Sequence, residues 1–355
     1  MTTKIELLSL AYQILTCGNL KLRKNTIKEN ISLERFFTLT IKQLQFLGAT
    51  KEMISGFSDP IPLAKKEYDI ALKNKIKIHF INSPSYPRTL QDIYDPPQCI
   101  YTRGDDSSLH GKTLGVVGSR KHSMYGSRII NTFFPEIIAS GLTVVSGMAY
   151  GIDALAHQKA IALDGKTVGV NAGGLLHLYP AGNKNLFNEI ISSGCIVSEF
   201  PLSTIPRPHY FPIRNRIIAG LSQKVWIVEA AERSGSLITA RLAIESGKDV
   251  LVTPGPVDSP TSMGCNRLIK DGAKPILKVE DILEEYGIFI KSKLVDPICG
   301  QTFNLEETIL LDLLKENGVK DIDFLVEKST LPVNKVVSAL NGLLLKKIVT
   351  THSGG

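Results

Sequence analysis

From Lys112 onward the chain alternates short Val/Ile-rich runs with amphipathic stretches, and this rhythm constrains the fold more than any other feature. The apolar runs are Thr113–Val117, Leu142–Ser146, Thr167–Asn171, Ile196–Glu199, Val225–Glu229, Val250–Thr253 and Pro275–Val279. Helical stretches lie between them, at about Gly126–Ser140, Asp153–Leu163, Asn185–Ser192, Arg216–Leu221, Leu237–Ser246 and Asn266–Lys270. Strands apolar on both faces and interleaved with helices satisfy their side chains in a parallel sheet covered on both sides. The expectation is an α/β, Rossmann-like domain over residues 112–290. Gly141, Gly165, Gly194 and Gly247 each lie just past a helix and before a strand, where a left-handed cap residue belongs.

The flanks read differently. Residues 1–80 show a helical period at Ile5, Leu7, Leu8, Leu10, Ile14 and Leu15, then short helical pieces at 32–37, 41–47 and 61–75, as in a small helical (SAM-like) domain. Strand-like stretches at 76–81 and 99–101 bracket Pro84, Pro87, Pro96 and Pro97, so residues 81–111 form a proline-rich connector that no helix can cross. After a linker at 291–303, residues 304–355 give helices at 306–316, 321–328 and 333–345 and a short strand at 346–350. That order resembles a winged-helix module. Its third helix offers Asn334, Lys335, Ser338 and Asn341 but no Arg. Base readout leans on Arg, which favours a protein-contact or structural use over DNA binding.

The chain carries a net charge of +7, unevenly spread. Residues 1–80 hold thirteen Lys/Arg against seven Asp/Glu, a surplus of +6, while the other 275 residues carry only +1. The surplus is either an anion-binding surface or a solvated lysine-rich one. Any anion site in the α/β region must be made by a few placed groups. Cys17, Cys99, Cys195, Cys265 and Cys299 are far apart with no C-x-x-C, so they read as buried thiols rather than a disulfide framework or zinc site. No apolar run is long enough for a membrane span, and Met1–Leu10 does not read as a signal peptide. A cytoplasmic protein with no metal and no cofactor is expected.

In an open parallel sheet, ligands bind outside the carboxyl ends of the strands. Five unusual loops fall there: Gly118-Ser119-Arg120-Lys121, Ser146 to Asp153 with Gly147 and Gly151, Asn171-Ala172-Gly173-Gly174, Phe211 to Arg216, and Ser234-Gly235-Ser236. Glycines let backbone amides approach an anion, helix N-termini add partial positive charge, and hydroxyls and guanidinium groups complete a phosphate site. The ligand expected is a nucleotide or polyanion. The expected phosphate contacts are Gly118, Ser119, Arg120, Lys121, Gly147, Arg214, Asn215, Arg216, Ser234, Gly235 and Ser236, with Tyr210 and Phe211 as possible base-stacking rings.

Several enzyme classes lose ground. Gly115-Val116-Val117-Gly118 lacks the G-x-G-x-x-G spacing of a dinucleotide site. Gly111-Lys112-Thr113 and Gly165-Lys166-Thr167 end like a P-loop, but Asp106 and Ala160 stand where its first glycine belongs. No G-x-S-x-G or H-E-x-x-H occurs. Asp153 and His157, four apart on one helix, are either a catalytic pair or a helix cap beside a packed histidine; no third group is evident, which favours the second. Glu229 and Glu232 suit either acid chemistry on a nucleotide or, better, ion pairing with Arg233 or Arg241.

Taken together, these motifs resemble the DprA/Smf family of bacterial DNA-processing proteins. The matching runs are Val117–Arg120, Ser146–His157, Tyr179-Pro180 with Asn183, Ser198–Pro201, Phe211–Ser222, Val228–Ala230, Ser234–Ala240, Pro254-Gly255, Gly264–Asn266, Leu268-Ile269 and Gly272-Ala273. They lie in order over residues 85–285. The resemblance implies a dimeric, non-catalytic protein that binds single-stranded DNA entering during natural transformation (competence), protects it and helps load RecA recombinase. It implies that Gly118, Ser119 and Arg120 hold a phosphate and that Arg214–Arg216 line the same pocket. One departure is Asn171–Leu176, where the family more often has an acidic residue shortly after the glycines.

Overall fold

The computed structural model describes residues 2–55, 57, 59–289, 303–315, 321–346 and 349. By their contacts they fall into two units, within 1–289 and 290–355. In the first, the apolar runs form strands because both faces of each find a helical cover. In chain order the strands are β1 (Lys77–Phe80), β2 (Cys99–Gly104), β3 (Thr113–Gly118), β4 (Thr143–Ser146) and β5 (Thr167–Val170), then β6 (Gly194–Ser198), β7 (Lys224–Glu229), β8 (Asp249–Val252) and β9 (Lys274–Pro275). Side chains alternate across the sheet: Val225 and Ile227 of β7 join one core with Ile217, Leu221, Ala240 and Ala243, while Trp226 and Val228 join another with Ile130, Phe134, Ile137 and Ile152. Trp226 stacks on Phe133 at 5.7 Å and donates from its indole nitrogen to the Thr253 hydroxyl at 2.9 Å.

The strand order is β1-β2-β6-β5-β4-β3-β7-β8-β9. β3 to β9 run parallel to one another, giving the expected α/β fold with helices on both faces. The chain leaves β3 through β4, β5 and β6 on one side, then returns to lay β7, β8 and β9 on the other. The crossovers diverge at the carboxyl ends of β3 and β7, the switch point where such sheets hold ligands.

The proline-rich segment does more than connect. Its bracketing strands pair antiparallel, and β2 pairs antiparallel with β6, so they extend the sheet's edge. The helices ahead of it, Lys4–Leu15 and Pro60–Lys73 among them, bury Leu10, Ala11, Ala64 and Ala71 in one core with Tyr101, Ile190 and Ile196. Thr3 with Glu6, and Thr40 with Gln43, form capping boxes that start two of the front helices.

Three expectations need correction. The last strand stops at Pro275, and Val279–Glu284 is helical. Gly141 and Gly247 are left-handed, but Asp164 takes that conformation in place of Gly165, and Gly194 is extended as the first residue of β6, where Thr167 leaves no room for a side chain. The helix expected at Arg216 begins six residues earlier and runs Tyr210–Leu221. Pro212 lies in its first turn, where a missing N–H costs no hydrogen bond.

The second unit packs helices Leu305–Lys315, Ile322–Ser329 and Val333–Leu345 around Leu310, Leu325, Val336 and Leu343. Residues 291–302 of the linker, Glu316, Cys299 and most of the strand expected at 346–350 lie outside the described residues. Cys99, Cys195 and Cys265 are buried and Cys17 half-buried, and burial pushes all four thiols up. Among the described residues, no helix is long and apolar enough to cross a membrane, and no group of His, Cys, Asp and Glu could hold a metal ion.

Candidate functional site

At the end of β3 the chain turns through Ser119, Arg120 and Lys121 before Ser123 caps the Met124–Ala139 helix, accepting the Gly126 N–H at 3.3 Å. Ser119 folds this turn on itself: its hydroxyl donates to the Lys121 carbonyl at 2.9 Å and accepts the Lys121 N–H at 3.2 Å. The Ser119 carbonyl accepts the Ile152 N–H at 3.1 Å. Gly151, at φ +82°, lies so close to Ser119 and Arg120 that any side chain there would collide with their backbone. The two glycine loops brace each other and turn Arg120 and Lys121 outward, where both are exposed. The Arg120 guanidinium lies 5.6 Å from the centre of the Phe211 ring, and among the described residues it makes no ion pair.

Behind this exposed layer lies a buried one. Arg214 donates to the carbonyls of Gly147 and Val170, at the ends of β4 and β5. Its Nε reaches the Asn215 side-chain oxygen at 3.3 Å, and the Asn215 amide reaches the Gly235 carbonyl at 3.4 Å. Burial lowers the Arg214 pKa to about 10, against the pull of Asp153 and with the push of Arg120. Asp153 is fully buried: burial raises its pKa to about 6, while Arg214 and the amides of Ala149, Gly118 and Gly147 pull it back. A Cβ on Gly147 would sit 2.7 Å from both the Asp153 carboxylate and the Arg214 guanidinium, so any side chain there must displace that buried pair.

This alters the expected roles of Gly118 and Gly147. The amides expected to cradle phosphate already face a carboxylate from the chain itself. Asp153 is not the cap of its helix; Gly151 is, and Asp153 follows inside the first turn. His157 looks elsewhere, bonding Nδ1 to the Thr167 hydroxyl at 2.7 Å, and burial with Arg214 lowers its pKa to about 3. It is a packed, neutral histidine. Glu229 makes none of the expected ion pairs: its Oε2 accepts the Ser123 N–H at 2.9 Å, steadying the Arg120 loop, while Arg241 pairs with Glu245 at 3.5 Å.

The early start of the Tyr210–Leu221 helix divides the other candidates. Arg214 and Arg216 lie about 200° apart around it, on opposite faces. Arg216 is bound to Glu199 and to the Asp95 carbonyl, inside a buried cluster that also holds Arg23, so it is not among the loop groups. Tyr210 is buried against Phe200, ring centres 4.7 Å apart, and has no face to offer a base. Phe211 stays partly exposed, with Tyr179 edge-on at 5.6 Å. Ser234 caps the Gly235–Glu245 helix, accepting the Ser236 N–H at 3.3 Å, with its hydroxyl 2.7 Å from that of Ser236.

Two exposed rings were missed as candidates. Tyr150, 50% exposed, stands in the second glycine loop, and Tyr179, 51% exposed, precedes Pro180. An aromatic beside glycines at a strand's carboxyl end is the signal that would have found them.

The model of the family "DNA recombination-mediator protein A" matches residues 77–287. The DNA processing protein DprA of Bacillus subtilis (strain 168) is 40% identical over 249 residues, 70% of this chain and 82% of that protein. The X-ray structure of DprA from Streptococcus pneumoniae superposes with a TM-score of 0.64 at 31% identity, covering 80% of this chain and 98% of that one. A Helicobacter pylori DNA processing protein A, whose structure is described for its unique single-stranded DNA binding mode, superposes with a TM-score of 0.54 at 28% identity, covering 59% of this chain and 95% of that one. With this match over more than half its length, and with its glycine loops set at the switch point of the sheet, the chain belongs to the DprA/Smf family of DNA recombination-mediator proteins.

Proposed function

We propose that this chain binds single-stranded DNA across the loops at the ends of β3 and β4, shields it, and helps load RecA recombinase onto it during natural transformation. It works as a homodimeric cytoplasmic binder, not as an enzyme. The observation that carries the reading is Arg120: exposed, without an ionic partner among the described residues, and braced over the Phe211 ring at the sheet's switch point. Lys121, Ser119 and the Ser234–Ser236 turn supply further charge and hydroxyls to the same edge. The single-stranded DNA binding mode of the Helicobacter pylori relative supports the choice of ligand.

The chemistry explains a preference for single strands. Phe211, Tyr179 and Tyr150 offer ring faces to bases, and only unpaired bases can stack on them, at about 1–3 kcal/mol each. An arginine–phosphate contact adds roughly 1.5–3 kcal/mol. One such site gives a weak complex, so a strand crossing two sites of a dimer gains its affinity by avidity.

Fluorescence anisotropy of a labelled oligonucleotide, single-stranded against duplex, over a salt series tests the reading. The wild type should prefer the single strand. Arg120→Ala should lose most of that affinity and reduce the log–log salt slope by about 0.7 per lost phosphate contact. Binding that ignores Arg120 and follows bulk charge would overturn it, as would sustained release of adenine from AMP.

A further inference from the structure

The charges around Glu199 join segments far apart in the chain. Arg23 comes from the Leu20–Lys28 helix, Asp95 from the proline-rich segment, Glu199 from the turn after β6, and Arg216 from the Tyr210–Leu221 helix. Arg23 Nη1 donates to Glu199 Oε2 at 2.8 Å, and its Nη2 lies 3.3 Å from Asp95 Oδ1. Arg216 bonds the same Glu199 oxygen and the Asp95 backbone carbonyl, with its Nε 3.8 Å from Asp95 Oδ2. Each of the four side chains is nine-tenths buried or more. Two positive and two negative charges balance only as a set. Other contacts tie the same parts together: Gln13 donates to the Glu199 carbonyl at 2.8 Å and accepts the Gln98 N–H at 3.0 Å. Gly18 lies against the Tyr210 ring, where a Cβ would come within 2.6 Å of a ring carbon.

We infer that Arg23 is a positioning residue for DNA binding, acting through Glu199 and Arg216 to set the rotation of the Tyr210–Leu221 helix, whose other face carries Arg214. The inference rests on the single-strand reading of the site. A helix is stiff about its own axis, so holding Arg216 on one side holds Arg214 on the other, with Phe211 one turn earlier. Without Arg23, two buried carboxylates share one guanidinium. An uncompensated buried charge is strongly unfavourable, and moving the helix or the Glu199 turn relieves it. The front helices are thereby part of the frame of the site.

The test uses the full chain and two variants. Arg23→Met removes the charge, and Arg23→Met with Glu199→Gln restores neutrality around the remaining Arg216 and Asp95. Hydrogen–deuterium exchange of Tyr210–Leu221 reads the positioning with no DNA present. Anisotropy of a labelled single strand, well below each variant's melting temperature, reads the consequence. Arg23→Met should weaken binding roughly tenfold and speed exchange in that helix, while the double variant should return to within about threefold of wild type. A folded Arg23→Met with exchange changed only in Leu20–Lys28 and with unchanged affinity overturns the inference. If Arg23→Met does not fold, Gln13→Leu decides: it unhooks the Glu199 turn, keeps all four charges, and should weaken binding a few-fold, whereas unchanged affinity overturns the proposal. Should the wild type bind no single strand, the functional reading fails, and the exchange data still decide the positioning.

Discussion

The loop edge at the ends of β3 and β4 and the charge cluster around Glu199 are built from the same residue types and share one helix, yet they do opposite work. At the edge, Arg120 is exposed, leans on an aromatic ring and has no carboxylate partner among the described residues. In the cluster, Arg216 and Arg23 are buried and paired with Glu199 and Asp95. An arginine inside a dense motif is therefore not a phosphate contact by virtue of its motif. What decides is whether the protein has already supplied an anion. Arg214 stands between the two cases, buried and turned to backbone carbonyls of both glycine-bearing strand ends.

The contrast is sharpened most by removing one charge from each region. Arg216→Ala should cost about 3–5 kcal/mol of folding stability, because it strands buried carboxylates. Arg120→Ala should stay within about 0.5 kcal/mol of wild type in the same urea titration. Equal effects would erase the distinction. The pair behind the loops responds to acid in opposite directions. The Asp153 carboxyl is raised to about 6 from an ordinary value near 4. The folded state then holds more protons than the unfolded one between those values, so this group's contribution is present below pH 4 and lost as pH rises through 6. His157 is depressed to about 3. Its contribution is present above about pH 6.5 and lost as pH falls toward 3. The effect reaches at most about 3 kcal/mol for Asp153 and about 5 kcal/mol for His157. Melting temperatures from pH 3.5 to 7 should be steeper in acid for Asp153→Asn and flatter for His157→Gln than for wild type.

Smaller effects test the edge itself. Arg120→Ala should raise the single-strand dissociation constant by roughly 10- to 100-fold at low salt. Phe211→Ala and Tyr179→Ala should each lose about 1–3 kcal/mol of single-strand affinity. Tyr210→Leu, measured well below its melting temperature, should lose almost none, the ring it removes being packed against Phe200. If Tyr210 proved to matter as much as Phe211, the boundary between the two regions would be misplaced by one residue.

The layout of the sheet was legible because strand length, apolar runs and helical period agreed from Thr113 to Thr253, and the switch-point loops followed from that layout. The roles of residues within them were less so. Placing the helix start at Arg216 instead of Tyr210 treated Arg214 and Arg216 as one exposed pair, when a shared helix turns them to opposite faces. Pro212 hid the start, since proline reads as a break although a first turn tolerates it. Asp153 was hidden for a different reason: no local pattern announces that a carboxylate will be buried between Gly147 and Arg214. That contact joins segments that follow separate strands and exists only in three dimensions.

Gly151, pressed against the backbone of Ser119 and Arg120, and the Ile152 N–H on the Ser119 carbonyl tie the first two glycine loops together within the folded domain. Under the proposed function, an arriving strand would meet loops already held in place. The entropy that a floppy phosphate loop loses on capture is here lost once, during folding. On the proposed function, docking is expected to be a matter of encounter rate and surface charge, with on-rates falling as ionic strength rises and off-rates set by the rings.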